Sequence, residues 1–414
     1  MSVRIFRPLL AVFCVLCASA AAGDEPILTI ESHIQPAAPQ VVTATPVSSS
    51  PAVSGEVKRK NGPAPAPSSR AHKTPSDGLY RAGGGCAGCF GPNGALSGKP
   101  GRTFTFPDRL TGSPVAYRGV LYLSCGQTLC AFDPKREKLL WAVQLKSRPT
   151  VPALAGGRMF FGTEDGNLVA LKAETGAVLW QLNAKGMTFS SPVTAFENAF
   201  FAVSSSGTLL CLDGASGKVK WQTETGLNNP TALLFADEIL LVGGQNLGYQ
   251  AYHPVYGYRR WQGGDGTSMD VSPSWSDGTA YFPDTRGRVR ALRAQNARFL
   301  WTSEPFSPLA APLVVSGERG WGVTADGAVF AVGLTEGKVI WRTQLPGRVL
   351  TALAVSSDGH GVYTVTEKGA LYALDGNTGM VQWDIPFGEP PAADPVLSGG
   401  ALWVCCGNKL SEVR

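Results

Sequence analysis

From about residue 100 onward, apolar and polar positions alternate in a unit that keeps returning. One copy reads Asp277-Gly278, then Ala280-Tyr281-Phe282, a polar break over 284–287, Val289-Arg290-Ala291-Leu292, a short turn, and Arg298-Phe299-Leu300-Trp301. Runs this short, rich in aromatic and β-branched residues and separated by Gly, Asp, Asn and Ser, predict antiparallel strands joined by hairpins. A further apolar run, introduced by Pro114, Pro152, Pro192, Pro230, Pro273, Pro312 or Pro395, precedes the units. Proline suits the first residue of a strand, where no ladder donor is lost. Each repeat is therefore expected to hold four strands. No stretch after residue 100 carries the period of a long amphipathic helix.

The cleanest copy ends Ala373-Leu374-Asp375-Gly376-Asn377-Thr378-Gly379-Met380-Val381-Gln382-Trp383, a skeleton of A-x-D-x-x-T-G-x-x-x-W. Degraded copies end at Trp141, Trp180, Trp221, Trp261, Trp301 and Trp341, so successive tryptophans are 39, 41, 40, 40, 40 and 42 residues apart. A fixed period of this size marks a repeat architecture. Four-stranded units at this spacing make a β-propeller, each twisted sheet being a blade packed face to face on the next. The small residue of the skeleton (Ala131, Ala170, Cys211, Ala251, Ala291, Ala331, Ala373) leaves room where blades approach. Asp133, Asp213 and Asp375 are placed to accept turn amides, and the glycine after them to take a positive φ. Glu137 and Ala297 replace that glycine, so those two turns are expected to be altered. The tryptophan buries a large ring between neighbouring blades.

The ends of the repeat count the blades. The strands at 401–406 and 408–413 stop before a motif tryptophan, whereas Arg102-Thr103-Phe104-Thr105-Phe106 precedes Pro114 at the spacing of a tryptophan strand. The expected fold is all-β: an eight-bladed β-propeller of four-stranded antiparallel blades, closed by an N-terminal strand that completes the C-terminal blade. Closure leaves no free edge between first and last blade; seven blades is the alternative. The repeat resembles that of the pyrroloquinoline-quinone (PQQ) repeat superfamily, the quinoprotein alcohol dehydrogenase-like eight-bladed propellers, over about residues 101–414. A WD-type propeller is disfavoured because only Trp383-Asp384 carries a Trp-Asp pair.

The rest of the chain differs in kind. Residues 1–22 read as a signal peptide: Arg4 and Arg7 precede an apolar run from Leu9 to Cys17, with small-x-small cleavage sites at Ala18-Ser19-Ala20 and Ala20-Ala21-Ala22. Export to the periplasm or the medium, in a Gram-negative cell envelope, is the expectation. Residues 23–100 hold 11 of the 30 prolines with Ala, Ser and Thr between them, a composition suited to an extended, disordered tether. A net charge of +5, spread along the chain, does not call for a nucleic-acid partner.

Two of the nine cysteines leave with the signal peptide. Cys86-Ala87-Gly88-Cys89 lacks the histidine that haem attachment requires, Phe90 standing there, and reads as a local disulfide. Cys405-Cys406 is a second candidate, although adjacent cysteines face opposite sides of a strand and their bonding demands a strained turn. The PQQ dehydrogenases place a vicinal disulfide against the quinone, but not in the last blade. Cys211, on an inner strand, is expected to be a free thiol.

Catalytic chemistry is hard to find. The resemblance implies, for the dehydrogenases of the superfamily, a cation that polarises the quinone and an aspartate base. Hard-cation ligation needs several convergent oxygens. Among the inner-strand entrances only Asp270 and Asp394 are carboxylates, in blades well apart. His253 fills a turn slot and His360 a hairpin tip, so neither suggests a metal or triad constellation. Repeats of 39 to 42 residues also leave no room for cofactor-building insertions. Neither PQQ nor calcium is expected, and the reading is a non-enzymatic scaffold acting as a monomer within a complex of envelope or secreted proteins. The resemblance extends to an insertion-free member of the superfamily that serves outer-membrane protein assembly. A PQQ-dependent oxidoreductase and a carbohydrate- or ligand-sensing propeller are the rivals. Candidate partner-binding residues are Arg286, Arg288 and Arg290 in the densest basic run, Tyr249 in the most divergent unit, and Trp275, which could stack a ligand in the funnel.

Overall fold

One register rule holds in seven blades: the small residue of the third strand pairs with the tryptophan of the fourth. The pairs are Ala131↔Trp141, Ala170↔Trp180, Cys211↔Trp221, Ala251↔Trp261, Ala291↔Trp301, Ala331↔Trp341 and Ala373↔Trp383. Immediately before each tryptophan the register slips by one residue, so that Lys220, for example, is bulged out between Val219 and Trp221. A β-bulge re-aims the next side chain and sharpens the local twist. Here it turns the indole off its own sheet and toward the next blade.

The computed structural model describes residues 27–29, 95–236, 238–264 and 266–414. Among them are eight sheets, seven of them four-stranded, antiparallel and with their strands in sequence order. Blade 1 is Leu110–Tyr117, Val120–Cys125, Thr128–Asp133 and Lys138–Gln144; blade 3 is Thr194–Phe196, Ala199–Val203, Thr208–Asp213 and Val219–Glu224. The last blade joins Val396–Ser398, Ala401–Cys406 and Lys409–Val413 to Pro100–Thr105, so the eight-bladed closure is realised. Ile27–Thr29 adds a fifth strand there, parallel to Pro100–Thr105. First strands of neighbouring blades touch around the axis. Pro114 lies inside its strand rather than at its start, beside a register shift that spares its missing donor.

Second and third strands are covered on both faces by adjacent blades, which is why Arg158–Gly162 and Asn167–Lys172 are almost wholly buried. Such strands read as apolar runs rather than alternating ones, for the same reason as in a two-sided parallel sheet. Outer strands such as Val219–Glu224 face solvent and alternate.

The skeleton's chemistry now has a geometry. Asp133, Asp213 and Asp375 each accept two turn amides through Oδ1. Each indole Nε1 donates to a carbonyl in the next blade's turn: Trp141 to Ala173, Trp180 to Gly214, Trp221 to Pro254, Trp261 to Ala294, Trp301 to Leu334 and Trp341 to Gly376, at 2.8–3.1 Å. The turn glycine lies under the ring. At Gly379 φ is +74° and a Cβ would come within 2.4 Å of Trp341, so both backbone and packing demand glycine.

The ring is sealed by residues that the sequence assigns to the tether. Trp383 Nε1 donates to Leu96 O at 3.0 Å, and a Cβ on Gly98 would meet the Trp383 ring at 2.6 Å. Residues 96–98 therefore stand in for the missing eighth turn, and Lys99 and Arg414 exchange backbone hydrogen bonds beside them. The propeller thus begins several residues before 101. The segment read as a signal peptide, and the segment read as a tether apart from residues 27–29 and 95–100, lie outside the described residues. At this seam Arg102 occupies the tryptophan position, between Pro100, paired with Val413, and Thr103, paired with Ser411. Arg102 replaces the indole contact with two ion pairs, to Glu137 at 2.9 Å and Glu412 at 2.8 Å. Burial pushes the Glu412 carboxyl up, yet Arg102 and Arg414 together hold it below its ordinary value.

The two turns without glycine are not altered. Glu137 and Ala297 take φ of +54° and +56°, the left-handed conformation that glycine holds elsewhere. Packing against the neighbouring blade imposes the turn and the side chain bears the strain. Ala297→Gly is expected to raise stability by about 0.5–1 kcal/mol, read as a higher denaturant midpoint at constant m. No gain would mean that the turn is relaxed as it stands.

Candidate functional site

Two faces result from this winding. On one lie the turns between first and second strands and between third and fourth; on the other lie the second-to-third hairpins, hydrogen-bonded to the loops that enter each new blade, as where Phe306 N donates to Gly287 O. At the axis of the second face is a cavity of about 240 Å³ lined by Thr111, Ser113, Val151, Leu350, Thr351 and Asp394, among others. Asp394 is its one carboxylate. Ser113 Oγ donates to Asp394 Oδ2 at 2.5 Å and Ala352 N to Oδ1 at 2.7 Å, so this aspartate ties blades 1, 7 and 8 together. Asp270 accepts from Gln245 Nε2 at 3.3 Å in a different blade. Among the described residues no three His, Cys, Asp or Glu side chains gather. A cation that bridges to a quinone needs several free oxygens, and an aspartate already accepting on both oxygens does not fit that demand.

The candidate partner residues separate once placed. Asp284 occupies the hairpin slot filled by Thr163, Ser204, Thr324 and Thr366 in other blades, and its carboxylate is fully buried. Arg288 holds Asp284 Oδ2 through Nη2 at 2.8 Å and Nε at 2.9 Å, and Arg290 Nε lies 3.6 Å from the same oxygen. Arg288 and Arg290 are thus partly buried and engaged in an ion cluster with Asp284, whereas Arg286 is exposed. Tyr249 is buried, its ring stacked 4.4 Å from Phe282 of the next blade, and so presents no contact face. Trp275, on the first strand of blade 5, is partly buried against the core shared by blades 4 and 5. Alternation at these positions is compatible with either facing, and only the neighbouring blade decides it.

Within the divergent unit 243–258, whose clustered tyrosines Tyr249, Tyr252, Tyr256 and Tyr258 mark it in the sequence as a contact face, the exposed part is the turn His253-Pro254-Val255-Tyr256-Gly257-Tyr258. It occupies the slot that elsewhere holds Asp-Gly-Asn-Thr-Gly or Asp-Gly-Ala-Ser-Gly. Pro254 O and Gly257 receive Trp221 as in other blades, so the backbone is conventional and the surface is not. Val255, Tyr256 and Tyr258 are 65%, 70% and 54% exposed. The His253 ring lies 4.8 Å from Tyr256 and 5.1 Å from Tyr258, and the exposed Arg259 and Arg260 follow in the outer strand. Aromatic and arginine side chains together are the composition of interface anchors. The signal was legible as a loss of Asp, Asn and Thr from a turn that is otherwise polar.

The cysteines also need correction. Cys405 and Cys406 are free, in an extended strand where they pair with Leu410 and Lys409, so their side chains point to opposite faces and no vicinal bond forms. Burial pushes the Cys406 thiol up to about 11. Cys211 is a free thiol as expected, but on the third strand rather than the inner one, and burial raises it to about 11. Cys86 and Cys89 lie outside the described residues.

These features define an insertion-free eight-bladed PQQ-type propeller. The chain belongs to the PQQ-repeat family described as Outer membrane protein assembly factor BamB, matching it over residues 93–189, 174–305 and 300–410. The BamB protein of Yersinia pestis is 22% identical over 259 residues, which cover 56% of this chain and 65% of that protein. The quinone-dependent alcohol dehydrogenase, dehydrogenase subunit, of Komagataeibacter europaeus is 28% identical over 194 residues, 38% of this chain and 25% of the enzyme. The chain thus spans just under two thirds of the first relative and a quarter of the second. In solved structures, BamB from Moraxella catarrhalis superimposes with a TM-score of 0.66 at 18% identity, over 76% of this chain and 99% of that one. That likeness concerns the fold. Among the described residues no helix is long and apolar enough to cross a membrane.

Proposed function

We propose that this protein is a non-catalytic scaffold of the cell envelope that binds protein partners during outer-membrane protein assembly. The observation that supports it most is the turn at 253–258. There the repeat keeps its backbone but exchanges polar side chains for an exposed Val255, Tyr256 and Tyr258 beside two arginines. Exposed apolar groups at a position that needs none for folding mark a surface used for contact. The one carboxylate of the axial cavity agrees with this reading, since Asp394 is engaged in holding blades together. The periplasm is the proposed compartment, and neither PQQ nor calcium is proposed as a resident group.

The test is complementation. Loss of the gene should lower the amount of folded outer-membrane β-barrel proteins, and the wild-type chain should restore it. Tyr256→Asp with Tyr258→Asp should fail to restore it and should weaken partner binding ~30-fold, as loss of a hot spot of about 2 kcal/mol would. Stability should stay within about 0.5 kcal/mol because both rings are exposed. Arg286→Glu serves as a charge control on another face. Full complementation by the double variant would remove this surface.

The second reading, a PQQ-dependent dehydrogenase, is favoured by the relatives that carry that activity in their names. Titration of the purified protein with PQQ and calcium separates the two. A bound-quinone spectrum with dye-linked alcohol oxidation would replace the scaffold reading.

A further inference from the structure

The seam between blades 8 and 1 collects four buried cysteines in one apolar cluster: Cys125, Cys130, Cys405 and Cys406. Two of them belong to one hairpin of blade 1. The strands Val120–Cys125 and Thr128–Asp133 are joined by Gly126 and Gln127, with Cys125 paired to Thr128 and Leu123 to Cys130. Directly paired residues share a face of a sheet, so both thiols project from the same side as diagonal neighbours. Their sulfurs are 4.0 Å apart. A disulfide requires about 2 Å, and rotation about the two Cα–Cβ bonds supplies most of the approach.

We propose that Cys125 and Cys130 form a disulfide in the exported protein, stapling the central hairpin of blade 1 where the ring closes. Two thiols each give up a proton and the sulfur–sulfur bond forms. The two electrons reduce one disulfide of the oxidant, a thiol–disulfide oxidoreductase or a small-molecule disulfide, to two thiols. The environment then sets when this happens. The Cys125 sulfur and burial together push the Cys130 thiol well up, and burial does the same to Cys405. Thiolate is the attacking species, so the folded seam resists both formation and reduction. Oxidation belongs to the period before Phe104 and Trp403 close over the site, or to moments when the N-terminal strand opens. Cys405 is close enough to feel the charge of Cys125 and is the alternative partner.

Residues 119–135, Gly119 to Lys135, form a single tryptic peptide that holds both cysteines with no Lys or Arg between them. Full-length protein exported to the periplasm of an expressing host, and purified without reductant, is denatured and alkylated before digestion. The expected peptide is lighter by two hydrogens than the dithiol and takes label only after reduction. Native-state reduction should be much slower than reduction in denaturant. Cys125→Ser with Cys130→Ser should lower Tm by about 2–4 °C, as reductant does to the wild type, and should abolish the reductant effect. A peptide that takes two labels without reduction, even after equilibration with glutathione disulfide, would overturn the proposal. So would a bond from either cysteine to Cys405.

Discussion

Asp284→Ala is expected to destabilise the protein by about 3–5 kcal/mol, a loss on the scale of breaking a buried ion pair by removing one partner. The carboxylate is fully enclosed and does two jobs. Oδ1 accepts the backbone amides of Arg286 and Arg288, at 2.9 and 3.0 Å, and so shapes the hairpin. Oδ2 accepts from Arg288 Nε at 2.9 Å, with Arg288 Nη2 at ion-pair distance and Arg290 beside it. Truncation removes the counter-charge from two guanidiniums that are only partly open to water, their side chains being 26% and 13% exposed. Asp284→Asn should recover the turn amides but not the charge, and so fall between the two. The sharper control transplants blade 6, where Thr324, Ala328 and Phe330 stand at the corresponding positions. The triple change Asp284→Thr, Arg288→Ala, Arg290→Phe should lie within about 1–2 kcal/mol of wild type, because an apolar set of similar volume often replaces a buried ion cluster without loss. Urea denaturation measures all three. An Asp284→Ala cost below about 1 kcal/mol would mean that the arginines find water or other partners.

The second large effect belongs to ring closure. Trp383→Ala should cost about 3–5 kcal/mol, the range for truncating a large aromatic in a packed site. Any motif tryptophan shares that cost, but this one has a further consequence. Its indole holds Leu96 and Gly98, and through them the segment that leads into Pro100–Thr105. Limited proteolysis should therefore cut Trp383→Ala near residues 96–106, while Trp221→Ala should not be cut there. Gly98→Val should behave like Trp383→Ala, since φ of +74° and the indole face both exclude a branched side chain. Equal protection of that segment in all three variants would show that the strand ladder to Lys409–Val413 closes the ring without the indole.

The period of 39–42 residues, the small-residue and tryptophan positions, the Asx turns and the sharing of the last blade between the two ends were all readable from the chain. Each rests on local chemistry: a hairpin needs its turn residues and a blade its four apolar runs, and these recur wherever the unit recurs. The bulge before every tryptophan was not readable, because a one-residue slip leaves no mark on composition. Leu96-Ser97-Gly98 was hidden in a Pro- and Gly-rich stretch, its role set by an indole almost three hundred residues away.

The same division runs through the candidate sites. The chain by itself determined that arginines cluster after Asp284 and that tyrosines cluster in the fourth repeat. Only the packing of blade on blade decided that Arg288, Arg290 and Tyr249 turn inward while Tyr256 and Tyr258 stay in water, and that Cys125 meets Cys130 while Cys405 and Cys406 part. A strand position in this fold has two faces, and both are interior for the middle strands. Alternation therefore names the face that a side chain shares, and the neighbouring sheet determines what that face meets.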